Sequence, residues 1–161
     1  MTETEKILQL LATIPDPEIP VISIIDLGIV RHVRIQNNIP EVTITPTYTG
    51  CPAMDMIAVD IKAVLQENGY SETHIKTVLS PAWTTKWLSA ATKEKLRAYG
   101  IAPPMDDSED KSVLFAEEKK IPCPQCNSAN TELVSQFGST ACKALYRCRD
   151  CSEPFDYFKC H

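Results

Sequence analysis

Glycine is scarce in this chain, with five among 161 residues, and no Gly-rich loop of the phosphate-cradling kind is present, which argues against a nucleotide site of that type. Histidine is scarcer still: His32, His74 and His161 fall in no metallohydrolase spacing, so the first two read as structural or solvated. No run approaches the roughly 18 apolar residues of a membrane span. The N-terminus Met1-Thr2-Glu3-Thr4-Glu5-Lys6 is acidic and has no long apolar stretch, so a secretory signal is not expected and the cytoplasm is. A net charge of -5 argues against general binding to nucleic acid or anionic lipid. These absences leave autonomous catalysis with little to stand on.

What the chain has is cysteine, unevenly placed. Of seven, six lie from Cys123 onward, and Cys51 stands alone in Thr49-Gly50-Cys51-Pro52. Cys123-Pro124-Gln125-Cys126 and Cys148-Arg149-Asp150-Cys151 are two C-x-x-C pairs separated by 21 residues. Each such turn aims two thiolates at one point, so two turns on adjacent hairpins complete a tetrahedral zinc site. The residues between them support a ribbon: 131–137 favours a strand, Gly138-Ser139 a turn, and 144–146 a return strand. A segment of this size buries too little apolar surface to fold alone, and a structural metal makes up the deficit. Thiolates also hold iron, alone or in a cluster, which is the alternative occupant. Disulfides are disfavoured by the odd count and a reducing compartment. Cys142, Cys160 and His161 remain as extra ligand candidates. The aromatic residues Tyr146, Phe155, Tyr157 and Phe158 are expected to form a small core around the site, and the local charges balance without a basic stripe.

Composition divides the chain into a body at 1–102, an acidic linker at 103–120 that opens on Pro103-Pro104, and the ribbon at 121–161. In the body, Thr2 to Glu5 form a capping box ahead of Ile7, Leu8 and Leu11 at helical spacing. The pattern then predicts a hairpin over 29–45 turning at Asn37-Asn38, a helix over 52–68 stopped by Gly69, a strand over 75–79 and a helix over 89–99. The fold class is α/β (α+β): a small α-β-β-α-β-α sandwich with a separate C-terminal zinc ribbon.

Cys51 thereby gains an address. Pro52 suits a first helical turn, which puts Cys51 at or next to the N-cap, where unpaired amides and the helix dipole favour a thiolate. A small buried residue filling the strand-to-helix corner is the equally weighted alternative. In Ile14-Pro15-Asp16-Pro17-Glu18-Ile19-Pro20 two carboxylates alternate with prolines. These are ordinary turn formers, and they are also candidate hard oxygen ligands to iron.

Asp16-Pro17-Glu18-Ile19, Asp26-Leu27-Gly28 and Thr49-Gly50-Cys51-Pro52 resemble the successive motifs of the metal-sulfur cluster assembly family over roughly 5–102. With Pro81 to Trp87 and Phe137 to Cys148, the whole chain is similar to the accessory proteins of bacterial phenylacetyl-CoA epoxidase systems in aerobic phenylacetate catabolism. The resemblance implies maturation of iron centres, iron-sulfur or di-iron, with oxygenase and/or reductase subunits as partners. It implies that Cys51 transiently holds iron or a cluster, with Asp16 and Glu18 as helpers, and that a homodimer would complete the ligand set. The alternative is an electron-transfer or structural subunit of the oxygenase. Trp83 and Trp87 are read as core or lid packing, with client docking as the other reading.

Overall fold

The first helix, α1 (Glu3–Leu11), begins where the sequence caps it. Thr2 Oγ1 accepts the Glu5 amide at 3.2 Å and Glu5 Oε2 accepts the Thr2 amide at 2.6 Å. The structure is a computed structural model and describes residues 1–47, 51–104, 120–138, 140 and 143–158. Its contacts divide the chain into two units, Met1–Leu88 and Ser89–His161.

In the first unit, the segment after α1 has little regular structure, yet it is core. Ile14, Ile19, Ile22, Ile24, Leu27 and Ile29 are all buried, at most 2% exposed. The strands β1 (Val30–Gln36) and β2 (Ile39–Ile44) form an antiparallel hairpin. Asn37 (φ 53) and Asn38 (φ 64) take the two left-handed positions that match a tight turn to the strand twist. Along β2, Pro40, Val42 and Ile44 are buried in alternation, so one face of the sheet is core and the other is not. Helix α2 (Ala53–Glu67) then crosses over to β3 (His74–Thr77), which pairs parallel to β2 with Val42 opposite Ile75, giving the sheet order β1-β2-β3. Ile57, Ile61 and Leu65, four residues apart on α2, are fully buried. A 3-10 turn, Thr85–Trp87, closes the unit.

The second unit opens with α3 (Ala90–Tyr99), whose N-cap Ser89 accepts the Thr92 amide at 3.1 Å and whose C-cap Gly100 adopts φ 94. Immediately after it, β4 (Ile101–Ala102) pairs parallel with β7 (Pro154–Phe158). With β5 (Thr131–Ser135) and β6 (Lys143–Cys148) the sheet runs β4-β7-β6-β5. Its core joins Ala102 and Ile121 to Cys123, Ala144, Tyr146, Cys148, Phe155 and Tyr157. Tyr146 stacks on Phe155 at 5.9 Å and meets Tyr157 edge-on at 5.7 Å.

The α-β-β-α-β-α order is present, with boundaries moved by one or two residues. Two features depart from the sequence-based expectation. The aromatic tail is a strand as well as a core, and α3 with β4 groups with the ribbon rather than with the first unit. The physical reason is the ladder from Ile101 to Asp156 and from Ala102 to Tyr157. Residues 105–119 of the expected linker, Thr49, Gly50, Cys142, Cys160 and His161 lie outside the described residues.

Candidate functional site

Cys148 and Cys151 follow from the end of β6, and Cys123 and Cys126 lie in a turn ahead of β5; turning backbone brings their sulfurs together. Cys123 precedes a turn in which Asn127 takes φ 62 and returns its amide to the Cys123 carbonyl at 2.8 Å. Cys148 ends β6, and its amide donates to the Glu153 carbonyl at 2.9 Å across the second turn. The four sulfurs of Cys123, Cys126, Cys148 and Cys151 all lie within 4.8 Å of one another. Cys123 Sγ is 3.7 Å from Cys151 Sγ, and Cys126 Sγ is 3.5 Å from Cys148 Sγ. A tetrahedral ion with ~2.3 Å bonds to sulfur requires sulfur separations of about 3.8 Å. The donor set therefore fits a four-thiolate metal centre. Cys123 and Cys148 are buried, whereas Cys126 and Cys151 are exposed.

Cys148, Cys151 and Cys126 differ in acidity. The Cys151 amide, with that of Asp150, holds Cys148 down at about 7 against the cost of burial. For Cys151 the Glu153 amide pulls downward, but burial and crowding by Cys126, Cys123 and Cys148 push it up to about 12. Cys126 is also raised: the Ser128 amide opposes the rise, and burial and Cys148 drive it.

The second turn is fastened to the first by its two middle residues. Asp150 accepts from Ser128 Oγ and, at 3.0 Å, from Asn130 Nδ2, which lowers its carboxyl below the usual range. Arg149 forks onto Glu132 Oε2 at 3.1 and 2.9 Å, and its amide donates to the Asn130 carbonyl at 2.9 Å. Sequence reasoning missed this fastening. The only signal was a pair of charged residues inside the knuckle, facing polar residues some 20 positions upstream.

Cys51 is half-buried and directly precedes Pro52, the N-cap of α2. Pro52 offers no side-chain cap, and the Met54 amide reaches the Cys51 carbonyl at 3.4 Å. Asp16 is 4% exposed, and its Oδ1 accepts the amides of Glu18 and Ile19, both at 2.9 Å. That oxygen shapes the loop. Asp26 exchanges hydrogen bonds with Ser23, accepting its amide at 3.1 Å and donating to its hydroxyl at 3.0 Å. Trp83 is buried, and its Nε1 donates to the Leu27 carbonyl at 2.8 Å beside Gly28, which adopts φ 77. Trp87 lies under the Arg31 guanidinium, 4.0 Å from the ring centroid. Core packing thus accounts for Trp83. Among the described residues, the four-cysteine group is the one set of three or more His, Cys, Asp or Glu side chains placed to hold an ion, and Cys51, Asp16 and Glu18 are not part of it.

Residues 4–73 match the iron-sulfur cluster assembly protein family, and residues 107–159 match the PaaD zinc β ribbon domain. An Escherichia coli (strain K12) protein provisionally named as a subunit of 1,2-phenylacetyl-CoA epoxidase is 46% identical over 98% of this chain and 93% of its own length. A Porphyromonas gingivalis protein named Fe-S protein maturation auxiliary factor is 33% identical over 53% of this chain and 82% of its own. Among solved structures, a DUF59 domain from Bacillus anthracis superposes with a TM-score of 0.54 at 32% identity, covering 58% of this chain and 90% of that one. Among the described residues, no helix is long and apolar enough to cross a membrane.

Proposed function

The chain belongs to the PaaD family of phenylacetyl-CoA epoxidase proteins, and from that membership we propose that it is an accessory factor maturing the iron centres of the epoxidase system. It is not itself an enzyme acting on the organic substrate. The observation that carries the reading is the separation of two unlike thiol sites. Four cysteines converge in the second unit, and Cys51, which is not among them, lies at a helix start in the first.

The closed four-thiolate set suits a static zinc that stabilises the ribbon. Cys51 suits transient holding, because an incomplete ligand set releases its cargo where a saturated one retains it. Iron or a cluster is the cargo here, not a resident cofactor. Transfer is ligand exchange: as an Sγ–Fe bond forms, the Cys51 thiol proton passes to solvent and the bond from iron to the ligand that delivered it breaks; the Sγ–Fe bond then breaks as the client's donors take over, and the thiolate takes a proton back from solvent. No electron moves. Asp16 and Glu18 are the proposed assisting ligands, and a second copy of the chain would supply another Cys51. The clients are the oxygenase or reductase subunits, and the compartment is the cytoplasm.

Replacing Cys51 with Ser tests this. The variant should fold and keep its ribbon metal, about one zinc per chain by elemental analysis, while iron in the client subunits falls. Client iron at the wild-type level would overturn the reading.

A further inference from the structure

Helix α2 has two faces of different character. Ala53, Ile57, Ile61 and Leu65 turn one face into the core, whereas Met56, Val59 and Ala63 lie exposed on another. Met56 is 56% exposed and Val59 61%, and at three positions apart they are neighbours on the helix surface. Ala63 completes the stripe one heptad beyond Met56, about 10 Å along the axis. By the helical period, Asp60 and Glu67 rim the stripe on one side and Asp55 and Lys62 on the other, so three acids face one base. Among the described residues, none of these four makes an ion pair within the chain. An exposed apolar stripe inside a charged rim is the form that an interaction surface takes.

The rim decides what can sit there. A second copy of the chain on this face would set the same acids against each other, so any self-pairing belongs to another surface. An anionic lipid surface is repelled for the same reason. The fitting occupant is an apolar patch rimmed by lysine or arginine. Methionine is unbranched and polarizable, so Met56 adapts to partners of different shape. The stripe also begins only about 6 Å along the axis from Pro52, the N-cap that Cys51 directly precedes. We infer that the exposed stripe of α2 is the docking surface for the apolar, basic-rimmed face of a client subunit, held there close to Cys51. This deepens the maturation reading, on which the identity of the partner rests.

The test uses the full-length chain and, as probes, the purified iron-free oxygenase and reductase subunits of the epoxidase system. Calorimetric titration should show binding to at least one subunit, weakened at least about tenfold in an M56S/V59S variant. Both positions are exposed, so the variant should keep the NMR dispersion of the wild type. Binding by the wild type should weaken as salt rises, and a D55N/D60N/E67Q variant, which probes the rim independently, should lose much of that dependence. Equal affinity of M56S/V59S, or a salt dependence untouched in the rim variant, would overturn the docking surface. So would a wild-type dimer that M56S/V59S dissociates in sedimentation, because a second copy would then cover the stripe. The C51S variant separates the two readings. If M56S/V59S alone loses binding and C51S leaves client iron unchanged, the docking surface stands and the role of Cys51 falls. If M56S/V59S binds normally and C51S lowers client iron, the reverse holds. A wild-type chain that binds neither subunit overturns both.

Discussion

The two units are held together by different physics. The first draws buried aliphatic side chains from its helices, its strands and the loop between α1 and β1, so its core is spread over many contributors. The second has a short core in which Cys123 and Cys148 are themselves core residues beside three aromatic rings. Its remaining cohesion comes from polar ties between the two cysteine turns. A core that includes its own metal ligands cannot be repacked without disturbing the metal, and it cannot be completed without it. The buried aliphatic side chains of the first unit are under no such constraint.

The most forceful way to break this comparison is to remove the metal. Structural zinc contributes about 10–16 kcal/mol to folding in small ribbons. Chelation should therefore erase the dispersed NMR signals of 121–158 while those of 3–77 persist. A global collapse would show that the units depend on each other. Next comes the converse experiment. Leu65→Ala in α2 removes a fully buried side chain and should cost the first unit about 2–5 kcal/mol in a denaturant titration, with stoichiometric metal retained by the ribbon.

Acidity sharpens the contrast further. Binding a dication requires thiolates, and the raised thiols of Cys126 and Cys151 must lose their protons on loading. Apparent metal affinity in a competition titration should thus fall at least about a hundredfold per unit of falling pH. Below about 7, where Cys148 also becomes protonated, the fall should steepen. The stability of the first unit should show no matching slope. The smallest effect is expected from Asp150→Asn, which weakens the fastening to Ser128 and Asn130. It should accelerate metal release to a chelator about 10–100-fold without changing the metal content of freshly prepared protein.

Features specified by near neighbours were legible in the sequence. The capping box needs only Thr2 and Glu5, the hairpin turn only Asn37 and Asn38, and each knuckle only two cysteines three positions apart. The convergence of the two knuckles was legible too, because a metal imposes it whatever lies between them. What escaped were relationships set by distant partners. Ile101-Ala102 is too short to announce a strand, and its pairing with Asp156-Tyr157 spans the whole ribbon. Asp150 looked like a surface charge because Ser128 and Asn130 are 22 and 20 residues away. Asp16 looked more like a turn former than a ligand, and its contacts to Glu18 and Ile19 show that one of its oxygens serves the turn.

The parallel pairing of β4 with β7 has a consequence for the order in which the chain matures during synthesis. All four metal-binding cysteines precede β7, so they leave the ribosome before the strand that zips to β4. The first unit has every one of its strands in hand by Thr77, and α3 with β4 must wait for a partner more than 50 residues downstream. Because such non-local pairing is slow to form, the nascent ribbon presents thiols before it has a closed sheet. A chain terminated just after Cys151 would carry all four converging cysteines yet lack the strand that closes the unit's sheet.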